Sequence, residues 1–143
     1  MSKAYIALIA DAVDSRRLVP TQRKRLQSDL QAQLIRLNRR YHHALAARFD
    51  VTLGDELQCL LRDTTRVWEI THHIRYALQQ VDWTVACGRG GITTKLTPTI
   101  TAPKVDGPCF HEARAALEAA KQARRLLAFG GFKIGRASCR ERV

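Results

Sequence analysis

The chain alternates short apolar runs with longer stretches in which apolar residues recur every three or four positions. "AYIALIAD", residues 4 to 11, is an unbroken run of small and branched residues that ends at an acid, the pattern of a strand buried on both faces. From Pro20 onward, Leu26, Leu30, Leu34, Leu37, Tyr41 and Leu45 recur at helical spacing. Proline suits a helix's first turn, where its missing N–H would have no partner. "FDVTL" and "ELQCLL" flank Gly54-Asp55 as a hairpin, with Phe49, Val51 and Leu53 on one face. Val67, Ile70, Ile74, Ala77, Leu78 and Val81 form a second helical stripe, and "WTVAC" leads as a strand into "GRGGITT". Asp106-Gly107-Pro108 opens a third helix with Phe110, Ala113, Leu117, Ala120, Arg124 and Leu127 along one side.

The order βαββαβ predicts an α+β fold of the ferredoxin-like kind, an antiparallel sheet with both helices on one face, followed by a C-terminal helix. The polar stretch 97–105 is a loop of ordinary length, so one domain is expected. The final "IGRASCRERV" has no apolar period and resembles a translated sequencing adapter. Residues 133–143 are therefore expected to be a non-native tail, and residues 1–132 a single domain truncated at its C-terminus.

The net charge of +11 directs attention to phosphate-bearing partners, because clustered Lys and Arg attract them. Without the final ten residues, which hold three arginines and one glutamate, the charge is still +9. Four scattered cysteines with no CxxC pair exclude a zinc ribbon and a disulfide framework. The opening apolar run is too short to span a membrane and lacks a basic leader, so a cytoplasmic protein is expected.

In the expected topology the first and third strands are central neighbours, and Asp11 approaches the hairpin turn that carries Asp55. Two carboxylates brought together without a base in the hairpin repel one another unless a cation intervenes. Mg²⁺, or Mn²⁺, suits such a pair, since it takes one or two carboxylates and fills its shell with water and phosphate oxygens. Each acid alone reads equally well as a turn or cap residue. Glu56 begins the outgoing strand and points away from its neighbour, which makes it structural or a second-layer partner. "GRGGITT" lacks the Lys-Ser/Thr ending of a phosphate loop; Gly88, Gly90 and Gly91 instead suggest a bulge approached closely by other backbone. Its Arg89 is a candidate phosphate contact. The pairs His42-His43 and His72-His73, read as helical, point about 100° apart and cannot chelate one ion. His111 and Arg114, one turn apart near a helix start, could receive phosphate.

"IADAVDSR", "TLGDELQCLL", "GRGGITT" and "DGPCFHEARAAL", in that order, resemble the SatD family of bacterial proteins. More distantly, the chain resembles the palm domains of class III nucleotide cyclases and diguanylate cyclases. That resemblance implies acids at the first strand's end and in the Gly-Asp hairpin, here Asp11 and Asp55 beside Gly54, holding metal ions over a nucleotide triphosphate. It also implies that Arg114 supports the phosphates. The pattern departs at Phe110, where class III cyclases usually carry Asn, at Val51, where they carry a purine-selecting Lys, and at Leu53, where diguanylate cyclases carry a further Gly. The SatD resemblance further implies a helix-turn-helix-like segment beyond this chain's end.

The expected function is thus a metal-dependent nucleotide- or phosphate-binding domain with a sensory or regulatory role, enzyme activity being left open. The alternative is a regulatory nucleic-acid-binding protein that uses the basic face of Arg23, Lys24, Arg36, Arg39 and Arg40. A homodimer is compatible with either, and no membrane partner is expected.

Overall fold

Alternation along the first strand decides the architecture. In β1 (Tyr5–Ala12), Ile6, Leu8, Ala10 and Ala12 face one side of the sheet, and Ala7, Ile9 and Asp11 the other. Both sides must therefore be covered. The computed structural model describes residues 3–52 and 55–132. Its further elements are α1 (Pro20–Arg40), β2 (Leu45–Thr52), β3 (Glu56–Leu61), α2 (Val67–Ala77), β4 (Trp83–Gly90), α3 (Pro108–Gln122) and β5 (Leu127–Gly130). The sheet runs β2-β3-β1-β4-β5, antiparallel except for β5, which pairs parallel with β4.

On one face, Leu26, Leu30, Leu34 and Leu37 of α1 and Val67, Ile70 and Ile74 of α2 pack on Leu8, Leu57, Cys59, Leu61 and Val85. These are the ferredoxin-like elements the sequence pattern predicts. On the other face, Cys109, Phe110, Ala113 and Leu117 of α3 pack on Ala7, Ile9, Leu60 and Ala86, with Ala102 and Val105 of the preceding loop closing the edge. The small residues on this side of the sheet let α3 lie close.

Several boundaries differ from the sequence reading. Leu45 opens β2 instead of ending α1, so His42 and His43 lie in the intervening turn. Likewise α3 stops at Gln122, and Leu127 belongs to β5, a strand the pattern did not suggest. No bulge marks the glycines of β4, whose register with β1 runs unbroken from Tyr5↔Gly90 to Ala12↔Trp83. The backbone that approaches Gly88 is that of α3. Gly54 and the expected tail lie outside the described residues. Among the described residues, no helix is long and apolar enough to cross a membrane.

Candidate functional site

Cross-strand register places Asp11 directly opposite Glu56, so both carboxylates stand on the face that α3 covers. The helix meets each with a base two turns apart on one side. Arg114 donates from Nη1 to Glu56 Oε2 at 2.7 Å and from Nη2 to Oε1 at 2.6 Å, a bidentate fork. Gln58 Nε2 adds a bond to Oε1 at 2.8 Å. Lys121 Nζ stands 3.0 Å from Asp11 Oδ2.

The two acids titrate in opposite directions. Burial pushes both carboxyls up, but at Glu56 the bonds from Arg114 and Gln58 outweigh it and hold the group below its usual range. At Asp11 burial wins over the single Lys121 contact, with the charge of Glu56 adding to it, and the carboxyl lies above its usual range. Lys121, on the rim, is raised by its bond to Asp11 and carries a full charge at neutral pH.

Beyond Asp11 the chain turns sharply. Asp14 takes a left-handed conformation (φ 53°), and Arg17 N–H bonds back to Asp14 O at 3.0 Å, closing a 3₁₀ turn over Ser15–Arg17. The end of α3 lies across from it. Arg124 is also left-handed (φ 54°), with Arg124 N–H donating to Lys121 O at 3.2 Å and Arg125 N–H to Ala120 O at 2.8 Å. These two bonds form a Schellman cap, with arginine where glycine is usual. Between the two turns lies a cleft of about 900 Å³. Arg16, Arg17, Lys121, Arg124 and Arg125 line it, against Asp11 and Asp14. Glycine at position 124 should relieve the cost of a Cβ in the left-handed region, so Arg124→Gly is expected to gain about 0.5–1 kcal/mol in urea denaturation. A loss of stability would show that the Arg124 side chain holds the cap.

The expected site residues do not assemble as one group. Asp11 forms the cleft wall, whereas Asp55, buried and left-handed (φ 66°), lines a separate groove against α1 with Gln27, Ser28 and Gln31. The carboxylate beside Asp11 is Glu56, because the strand pleat turns it, and not its neighbour, to that face. The bases absent from the hairpin are supplied by α3. Among the described residues, no three His, Cys, Asp or Glu side chains are grouped to hold a metal ion.

Arg114 is engaged by Glu56, and His111 Nε2 stands 3.2 Å from Asp106 Oδ1 at the exposed start of α3, away from the cleft. Arg89 is exposed and pairs in register with Ile6, at the opposite end of β1 from Asp11. On the basic face of α1, Arg23 turns inward to Ser15 O and the exposed Arg40 pairs with Glu69, while Lys24, Arg36 and Arg39 are exposed and form no ion pair among the described residues. Sequence reasoning missed Arg16, Arg17, Lys121, Arg124 and Arg125. Their only signal was two short basic clusters, "SRR" and "KQARR", after an acid-ended strand and at the end of a helix.

A model of the SatD family matches residues 5–134. No curated protein matches the chain. Among solved structures, the GGDEF domain of YfiN (TpbB) from Pseudomonas aeruginosa superposes with a TM-score of 0.55 at 15% identity, over 92% of this chain and 84% of that one. A bacterial light-regulated adenylyl cyclase gives 0.55 at 12% identity, over 90% and 76%. A second structure of a bacterial light-regulated adenylyl cyclase gives 0.52 at 13%, over 90% of this chain and 43% of that one. The fold is that of the cyclase palm.

Proposed function

The chain belongs to the SatD family, and from that premise we propose that it binds a phosphorylated ligand, of nucleotide triphosphate type, in the cleft beyond β1, in a sensory or regulatory role. The observation that carries this reading is the convergence of five cations on one cleft from two distant segments, Arg16-Arg17 and Lys121-Arg125. Guanidinium groups match phosphate oxygens bidentately, and a concave site with cations on both walls concentrates their field. The likeness to domains of a light-regulated adenylyl cyclase makes a nucleotide a reasonable occupant.

The donor set for Mg²⁺ or Mn²⁺ is two carboxylates lining the cleft, Asp11, already facing Lys121, and Asp14 in the turn beyond it. That is enough for an ion that arrives with phosphate oxygens and keeps much of its water, and too little for a preformed cage. When bound, the ion would neutralise phosphate charge beside Asp11. Phe110 is buried in the α3 core and Val51 packs toward the α1 core, so neither offers a polar atom to a ligand. The reading is accordingly one of binding.

Isothermal titration of ATP, with Mg²⁺ and with EDTA, tests it. Each charge-assisted bond contributes about 1.5–3 kcal/mol, so Lys121→Ala and Arg125→Ala should each weaken binding roughly 10- to 100-fold. Asp11→Asn should abolish any gain from Mg²⁺ while leaving metal-free binding in place. Equal affinity in wild type and Arg125→Ala would refute the assignment of the cleft.

A further inference from the structure

We propose that a second hollow, at the opposite end of the sheet, binds a small phosphorylated anion independently of the Asp11 cleft. It lies where β2 begins and β3 ends, and holds about 530 Å³, within the usual range of roughly 300–1,000 Å³ for small-molecule sites. Leu61 at this end pairs with Ile6, whereas Glu56 pairs with Asp11. Five residues of strand therefore separate the two depressions, roughly 17 Å at 3.4 Å per residue.

Four cationic or protonatable side chains line the hollow: His42, His43, Arg48 and Arg62. No carboxylate lines it, and among the described residues none of the four forms an ion pair. Like charges gathered without a counter-charge repel, and an entering anion relieves that repulsion.

The rim is also held in place by backbone. Arg48 N–H donates to Ile100 O at 2.9 Å, and Arg62 N–H to Ala44 O at 3.0 Å. Next to Arg48 the β2–β3 register shifts, and Asn38 clamps the irregularity by accepting from Phe49 N–H at 2.7 Å and donating to Phe49 O at 3.1 Å. The guanidinium carriers thus sit on fixed backbone, which lowers the ordering cost of gripping a ligand. Two guanidinium forks suit phosphate oxygens, the imidazoles add donors, and the buried Ala46 and Ala47 give an apolar floor for the rest of the molecule.

The test is a ¹⁵N–¹H correlation NMR titration of the full chain with inorganic pyrophosphate and, separately, ATP. The expected result is a saturable shift of resonances from residues 42–48 and 62 that is separate from shifts at residues 11–17. Arg48→Ala/Arg62→Ala should weaken the first set at least tenfold and spare the second; Lys121→Ala/Arg125→Ala should do the reverse. Both arginines are exposed, so the variants should fold, which the same spectra report. Arg48→Lys/Arg62→Lys, which keeps the charge and loses the forks, should bind with intermediate affinity. Unmoved or unsaturable resonances at 42–48, or equal shifts in wild type and Arg48→Ala/Arg62→Ala, would overturn the proposal. Binding here with none at residues 11–17 would instead overturn the cleft and leave this site standing.

Discussion

Alanine at position 88 is expected to cost about 3 kcal/mol or more in urea denaturation. A Cβ on Gly88 would stand 2.2 Å from both Ala113 N and Cys109 O and 2.9 Å from Ala113 Cα. All three are backbone atoms of α3, so no side-chain rotation relieves the clash. Either α3 lifts from β4, opening the core built on Ala7, Ile9 and Ala86, or the strand distorts between two paired neighbours. Overpacking typically costs about 1–3 kcal/mol where side chains can yield, and more where they cannot. Gly90 supplies the control, because a Cβ there would meet Cys109 N at 3.0 Å and nothing closer. Gly90→Ala should cost about 1 kcal/mol. If Gly88→Ala unfolds within about 0.5 kcal/mol of wild type, the close seating of α3 on β4 is wrong, and with it the positions of Arg114 and Lys121.

The parts of the fold legible in the sequence are those with a clear period. α1, α2 and the first four strands announce themselves because a leucine stripe at three and four cannot be a strand, and the run "AYIALIA" needs cover on both faces. β5 is four residues long, too short to show alternation, and exists only because α3 returns the chain alongside β4. The site is a different matter. Asp11 was legible from its place at a strand end, but its partner was not, since Lys121 lies on a helix far along the chain and is positioned by packing of alanines and Gly88. Glu56 reads from sequence as structural or a second-layer partner because it points away from Asp55, yet that same alternation turns it toward Asp11 and Arg114. Local pattern specifies the direction of a side chain relative to its own strand; which acid meets which base depends on the faces that α1 and α3 come to occupy.

Removing Arg114 is the second change with a large expected effect, and it separates a structural role from a ligand-binding one. Glu56 is nearly enclosed, its side chain 12% exposed, and Arg114→Ala would leave its carboxylate with two neutral donors, Gln58 Nε2 at 2.8 Å and Thr52 Oγ1 at 3.4 Å. Breaking a buried pair from one side costs about 3–5 kcal/mol; because Arg114 is itself 44% exposed, water can partly replace it, and about 2–3 kcal/mol is expected at pH 7. The pH dependence has a definite sign. The carboxyl of Glu56 lies below its ordinary value of 4.5 in the fold, so the unfolded chain binds the proton first. The pair's contribution is therefore complete above about pH 4.5 and is lost as pH falls through the folded value. The penalty of Arg114→Ala should shrink correspondingly on acidification. Glu56→Gln should cost only about 1 kcal/mol, since the half-exposed guanidinium it releases can turn to solvent, and Arg114→Ala/Glu56→Gln should be more stable than Arg114→Ala alone. Urea denaturation of the four proteins at pH 7 and pH 4 measures all of this. If Arg114→Ala is as stable as wild type at pH 7, the fork to Glu56 is not what holds α3 at this point, and Arg114 becomes available to a phosphate, as the sequence resemblance implies.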